Sequence, residues 1–559
     1  MFHHRNLTRT VLLAGACTVL AVQTQVGTPA ADSGQTSAVL RQIAGAGQLA
    51  DLRWPDFSDY LPPVQNFYQP AGYALAWVRA GLPAPQALGI IGVLQKAADK
   101  GLDAEDYDGS RWAARLAHLH AASETEVAHF DAALTVCTMR YISDLHNGKV
   151  NPKYFHIGLD VEHKKYSLPD FLRQRLVDAP DPRAVLETVE PPFPGYKRTE
   201  AALVRYFDLA RRDDGEPLPA PAKTLVPGSP YPGVPRLTRL LRLLGDLPQD
   251  APATVDANAY AGPLVDAVKH FQRRHGLQPD GRLDAQTLKS LNTPLSFRVR
   301  QMQLTLERWR WLPHDFAEPP IIVNIPEFNL RAYSTDQEVA IEMKVIVGKA
   351  YGHKTPVFAD TMQFVVLRPY WNVPPGIQRS EIVPAIQKDR DYIAKKGFEV
   401  ITHGGQVVAS STIGDDMLAR LRAGTLEVRQ KPGPSNSLGL VKLIFPNNHN
   451  VYLHSTPAQE LFSRSRRDFS HGCIRVEKPD ELTAWVLRNN PGWNLERVRE
   501  AMNSGKDNQR INLAKPIPVL ILYGTAIVDE AGAAQFFDDI YGLDADLEKV
   551  LAKGYPYPG

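Results

Sequence analysis

The 559-residue chain changes its hydrophobic period near Pro320, and that change constrains the fold more than any other feature. Before it, apolar residues recur every three or four positions, as in Pro85–Lys96, Phe130–Ile142 and Ser167–Leu176, the spacing of helices with one buried face. After it come short β-branched runs broken by Gly, Pro or Asn: Ile321–Ile325, Phe328–Tyr333, Val339–Val347, Gln363–Arg368, Leu440–Phe445 and Asn450–His454. The expected fold is multidomain, with helical units followed by a mainly β domain.

Length alone calls for several cores. A helical scaffold domain is expected over 48–214, preceded by a small, polar linker from Asp32 to Gly47. Seven prolines between Gly215 and Pro235 exclude regular helix and central strand, so 215–235 reads as a connection. Residues 236–295 carry the amphipathic helix Leu264–Gly276, the turn Leu277-Gln-Pro-Asp-Gly281 and a second helix capped by Asp284. The β domain spans 318–530, with a final strand pair at Ile517–Tyr523 and Ala526–Val528. Helical segments at Ile377–Lys396 and Ala409–Arg429 form an insertion, 374–434, either a lid over a cleft or a plain surface elaboration. Residues 531–559 are expected to be a C-terminal tail.

Residues 1–31 read as an export signal: His3, His4, Arg5 and Arg9 precede an apolar core from Val11 to Val22 and the small residues Gly27–Ala31. An uncleaved anchor helix is the alternative. The net charge is +2, so no global basic field invites nucleic acid. Of three cysteines, Cys17 lies in the signal and Cys137 has core spacing. Cys473 is expected to be a free thiol, with a Cys137–Cys473 disulfide the competing arrangement.

Cys473 sits in Asp468-Phe-Ser-His-Gly-Cys-Ile-Arg-Val476, nineteen positions after His454 in Val451-Tyr-Leu-His-Ser-Thr-Pro457. A thiolate nucleophile needs a base, oxyanion donors and an electropositive setting, and this stretch contains candidates for each. Cys473 would be the nucleophile and His454 the general base and acid. The backbone N–H groups of Gly472 and Cys473 would be oxyanion donors. Tyr452 shares a strand face with His454 and could line the pocket. His471 either shapes the pocket or makes a structural hydrogen bond. Arg475 is the stronger candidate for gripping a substrate carboxylate, whereas Arg464, Arg466 and Arg467 read as a solvated basic loop. Trp371 and Asn372, at the edge of the insertion, are further pocket candidates, with ordinary packing the equal alternative for Trp371.

Ser470-His-Gly-Cys-Ile-Arg475, preceded by His454 and by Gly348-Lys-Ala-Tyr-Gly-His-Lys-Thr-Pro-Val357, resembles the L,D-transpeptidase catalytic domain of YkuD type. The 236–295 unit resembles the three-helix peptidoglycan-binding module, and the order of units resembles the large Gram-negative, YcbB-like members. The commonest family signature has Asn where this chain has Arg475, which leaves that residue's role open.

The resemblance implies a YkuD-like β-sandwich with a capping insertion and a periplasmic location, or inner-membrane anchoring if the signal is retained. The backbone carbonyl of Ser455 would orient His454. The implied activity joins stem peptides of peptidoglycan through a Cys473 thioester, releasing D-alanine and forming 3→3 cross-links. Carbapenems would be covalent inhibitors and other wall synthases candidate partners. No metal or organic cofactor is implied. Hydrolysis of the same thioester, which would make the protein an L,D-carboxypeptidase or cross-link hydrolase, stays open. So do a lipoprotein acceptor and a non-catalytic wall-binding role.

Overall fold

A computed structural model describes residues 34–164, 166–252 and 258–557. The expected signal, 1–31, lies outside the described residues.

The scaffold is built around the helix Glu124–Asn147. Ser123 and Glu126 close a reciprocal capping box at its start, satisfying two N–H groups that have no partner within the helix. Nearly every side of this helix is buried, so its polar residues need partners. Asp131 accepts from the Tyr68 hydroxyl at 2.7 Å and the Trp77 N–H at 2.7 Å, and Arg140 donates to the Asp56 carbonyl at 2.6 Å. Cys137 is free and fully buried on this helix. The expected linker before residue 48 is instead a helix, Gly34–Ala46, whose Leu40, Ile43 and Ala44 join the scaffold core.

Three helices, Val234–Leu244, Pro263–Arg274 and Ala285–Leu291, form the small module. As expected, Asp284 caps the third by accepting from the Thr287 N–H at 2.7 Å. The proline-rich stretch is not a free connection. Proline forbids ladders but not burial, and Leu218, Leu225 and Tyr231 insert into the module's core, with Leu225 bridged to Leu283.

Nine strands make the main sheet: β1 (Ile321–Asn324), β2 (Asn329–Tyr333), β3 (Val339–Gly348), β4 (Phe358–Leu367), β5 (Val441–Ile444), β6 (Leu453–His454), β7 (Asp468–Ser470), β8 (Ile474–Val476) and β9 (Gln509–Leu522). Their order is β7-β3-β8-β6-β5-β4-β9-β1-β2, and β2 also pairs with β3. Eight strands therefore close into a ring, where the expectation was a sandwich of two sheets. The ten-residue β3 makes the closure: β2 and then β7 occupy one edge, and β8 the other. Alternate residues such as Val323, Val345, Val365, Leu443, Leu453, Ile474 and Val519 fill the interior, while Leu482, Val486 and Val498 from two helices pack against it.

The insertion has its own core, including Ile386, Phe398, Val400, Leu421 and Val428. Its first part is helical as expected. Its second part holds the helix Asp415–Ala423, and a four-stranded sheet that periodicity did not reveal joins Trp371–Asn372, Glu427–Gln430, Phe398–Ile401 and Val407–Ala409. Buried Gln378 staples it, donating to the Leu421 and Leu426 carbonyls and accepting from the Val428 N–H.

Two further expectations are corrected beyond residue 516. Ile517–Tyr523 does not pair with Ala526–Val528: the first belongs to β9, between β4 and β1, and the second pairs with Ala534–Phe536. Nor is 531–557 a tail. Tyr541, Leu547 and Val550 join the barrel core, and Tyr555 and Tyr557 donate to the scaffold carboxylates Asp144 and Asp106. Arg140 and Lys149 lie over these two tyrosine rings at 5.0 and 4.7 Å.

Burial raises the Asp144 carboxyl to about 7, against the pull of Lys149 and of hydrogen bonds from Tyr555 and Tyr107. A carboxyl whose pKa is raised on folding holds its proton better in the folded state, so stability falls as pH rises from about 4 to about 7. Denaturant unfolding across that range should show this decline, and Asp144→Asn should flatten it.

Candidate active site

Three neighbouring strands assemble the site. β6 and β8 run parallel, with Leu453 beside Ile474 and His454 beside Arg475. Leu453 and Ile474 point inward and are fully buried, so alternation turns Tyr452, His454, Cys473 and Arg475 to the outer face. On the other side of β6, antiparallel β5 sets Lys442 beside His454. The outer face thus carries a cross-strand row, Lys442–His454–Arg475, with Tyr452 and Cys473 alongside. Sequence reasoning missed Lys442. Its signal was a lone lysine inside the apolar strand Leu440–Phe445.

His454 is buried, and its Nδ1 lies 2.5 Å from the Ser455 carbonyl oxygen. A carbonyl only accepts, so Nδ1 carries the hydrogen and the Nε2 lone pair is left for a proton. Burial, followed by the charge of Arg475 and then that of Lys442, lowers the imidazole to about 3. It is neutral at physiological pH. Cys473 is free and half-buried. Burial pushes its thiol up, against hydrogen bonds from Tyr452 and the charges of Lys442 and Arg475. At rest the pair is therefore thiol and neutral imidazole, not thiolate and imidazolium. Sγ lies 3.6 Å from the Asn450 carbonyl oxygen, and no hydrogen bond among the described residues joins it to His454. The Tyr452 ring packs edge-on to His454 at 5.8 Å.

The nucleophile turn is held from behind. Gly472 has φ +114, a region that favours glycine, and a Cβ there would meet nothing closer than 4.0 Å; the requirement is conformational. The Gly472 N–H donates to Ser470 Oγ at 3.1 Å, and Ser470 Oγ donates to the Cys473 carbonyl. This revises the expectation for Gly472: its N–H is engaged inside the turn, whereas the Cys473 N–H has no acceptor among the described residues. Thr355 Oγ1 accepts from the Gly348 N–H and donates to the Gly472 carbonyl, each at 2.8 Å. At Gly348 a Cβ would fall 1.9 Å from the His353 carbonyl, so only glycine fits. Tyr541 completes the support, its hydroxyl donating to the Gly348 carbonyl at 2.6 Å.

The remaining candidates divide. His471 Nε2 is 2.6 Å from Glu381 of the insertion, and its ring lies 4.8 Å from that of His353. It ties the insertion to the turn bearing Cys473. Trp371 and Asn372 form a strand of the insertion's sheet, paired with Gln430 and Arg429, and Trp371 packs near Phe398 at 6.1 Å. Neither makes a hydrogen bond or ring contact with Cys473, His454 or Tyr452. The basic loop is not simply solvated: Arg467 is buried and donates to the Val345, Phe328 and Arg464 carbonyls, and Arg466 pairs with Asp468. A cavity of about 990 Å³ lies elsewhere, lined by Phe193, Trp309, Phe316 and Arg331, and includes none of the site residues.

Two outcomes are expected. Peptide-resolved alkylation of Cys473 by iodoacetamide should rise with pH to a midpoint above that of an ordinary thiol, without a plateau below pH 7. Such a plateau would indicate a resting ion pair. Thr355→Val, which leaves the buried Gly472 carbonyl without its donor, should cost about 1–3 kcal/mol in chemical denaturation.

Three segments of the chain match known protein families. Residues 319–500 match the family model described as "L,D-transpeptidase catalytic domain", 62–203 match "Scaffold domain", and 231–291 match "Putative peptidoglycan binding domain". A curated protein of Haemophilus influenzae named "Putative L,D-transpeptidase" is 31% identical over 289 residues, which cover 50% of this chain and 57% of the relative. A solved L,D-transpeptidase from Stackebrandtia nassauensis aligns with 55% of this chain and 96% of its own at 12% identity, with a TM-score of 0.22, too low to bear on the fold. The chain thus carries, behind a helical scaffold domain and a peptidoglycan-binding domain, the catalytic domain of the L,D-transpeptidase (YkuD) family.

Proposed function

We propose that the protein is an exported, periplasmic transpeptidase that forms 3→3 cross-links in peptidoglycan through a Cys473 thioester. The observation carrying this reading is a free thiol on the same outer sheet face as a neutral histidine whose Nδ1–H is held by the Ser455 carbonyl. The matching catalytic and peptidoglycan-binding domains support the substrate class.

The Cys473 proton passes to His454 Nε2 as sulfur attacks the carbonyl of the third stem residue. The oxyanion forms against the Cys473 N–H. Collapse breaks the amide, and His454 gives its proton to the departing amine of D-alanine. An imidazolium as acidic as this one is a ready donor. The side-chain amine of a second stem then attacks the thioester, loses a proton to His454 and forms the new amide. His454 returns that proton to sulfur. No ATP is needed, because the thioester retains the energy of the first bond.

Intact-mass analysis should find a carbapenem adduct on the wild type and none on Cys473→Ala. With tetrapeptide stems, the wild type should release D-alanine and give a cross-linked dimer, and His454→Ala should slow this by about 10²–10⁴-fold. If hydrolysed tripeptide dominates while an acceptor amine is present, the protein is a carboxypeptidase. If no adduct or thioester forms, the catalytic reading fails.

A further inference from the structure

We infer that Lys442 and Arg475 form a paired carboxylate site, one cation on each side of His454, that grips the free α-carboxylate of the departing D-residue and so makes the enzyme a reader of stem length. The inference rests on the thioester reading above.

Three observations carry it. First, both cations are cross-strand neighbours of His454 and share its outer face, Lys442 through β5 and Arg475 through β8. With strands about 4.8 Å apart, the two backbones are separated by about 10 Å, a span that two long basic side chains can close around one carboxylate. Second, both are half-buried yet unpaired. Arg475 Nε is buried with no hydrogen-bond partner, and Lys442 Nζ lies over the Tyr452 ring at 4.2 Å. Neither has a carboxylate partner among the described residues, and the one group favouring the charge of either is Cys473. Half-buried cations are normally paired, and an arginine with an unused donor suits a carboxylate. Third, the reaction itself fixes where a carboxylate must fall. The amine that His454 protonates and the α-carboxylate of the same D-residue hang from one carbon. Whatever donates the proton therefore lies within a few ångströms of that carboxylate, and here the donor has a cation on either side.

The two cations also disfavour protonation of His454 while the site is empty. An arriving carboxylate offsets them, which lets the imidazole take the thiol proton once a correct donor is bound. A stem one residue longer would carry its carboxylate beyond the pair, leaving a neutral amide between two cations.

The test compares a synthetic tetrapeptide stem ending in D-alanine with the same stem ending in D-alaninamide, with Cys473 thioester formation read by mass. The wild type should prefer the acid by about tenfold or more. Lys442→Met and Arg475→Met should lower the acid rate by about tenfold or more relative to the amide rate, collapsing the preference. Lys442→Arg should retain it. Equal loss on both substrates would overturn the inference, because the cations would then act only on the thiol. A wild type indifferent to acid and amide would overturn it too. Calorimetric binding of both stems to Cys473→Ala separates the two levels of argument. If that variant prefers the acid although the wild type forms no thioester, the carboxylate site stands and the transpeptidase reading falls. If it prefers neither, the site falls.

Discussion

The site depends on one short pairing, the parallel register of Leu453-His454 with Ile474-Arg475. Two residues from each strand suffice because pleat alternation does the rest. The inward pair anchors in the barrel core, and the outward positions then have no choice of direction. A slip of one residue would turn His454 into the barrel core and Leu453 to the outer face. The register is protected on both flanks, by β5 beside β6 and by β3 beside β8, so the strands that carry the chemistry are nowhere at an edge.

Electrostatics follows from the same geometry. A histidine between two cross-strand cations cannot easily be protonated, and a half-buried thiol cannot easily be ionised. Together they hold a neutral pair of thiol and imidazole. The turn bearing Cys473 is held from behind by hydrogen bonds among Ser470, Thr355, Gly348 and Tyr541.

What the sequence revealed and what it hid divide along physical lines. Strand and helix existence, the Asp284 cap, the free Cys473 and the partnership of His454 with Ser455 were legible, because each depends on local pattern or on the quoted motif. Pairing was not. Ile517–Tyr523 reads as a strand, but its partners β4 and β1 lie well over a hundred residues earlier, and nothing local names them. Proline density showed where ladders stop and could not show that Leu218 and Tyr231 were buried. Lys442 was hidden because its meaning comes from a neighbour on another strand. Glu381 was hidden because the insertion's fold places it against His471. The Gly472 N–H was misjudged because a serine two positions away had already taken it.

The closed ring bears on where this catalytic unit can be cut. The stretch matching the family ends at residue 500, yet the longest barrel strand, Gln509–Leu522, lies beyond it and is hydrogen-bonded to both β4 and β1. Tyr541, which holds the loop behind Cys473, lies further still, and Glu307, on the helix before the barrel, accepts from the Lys149 and Val150 N–H groups of the scaffold. A fragment trimmed to the matching residues would contain His454, Cys473 and the whole recognisable signature, but with an opened barrel and an unsupported nucleophile loop. The catalytic domain is not a portable cassette: its recognisable boundaries are narrower than its mechanical ones.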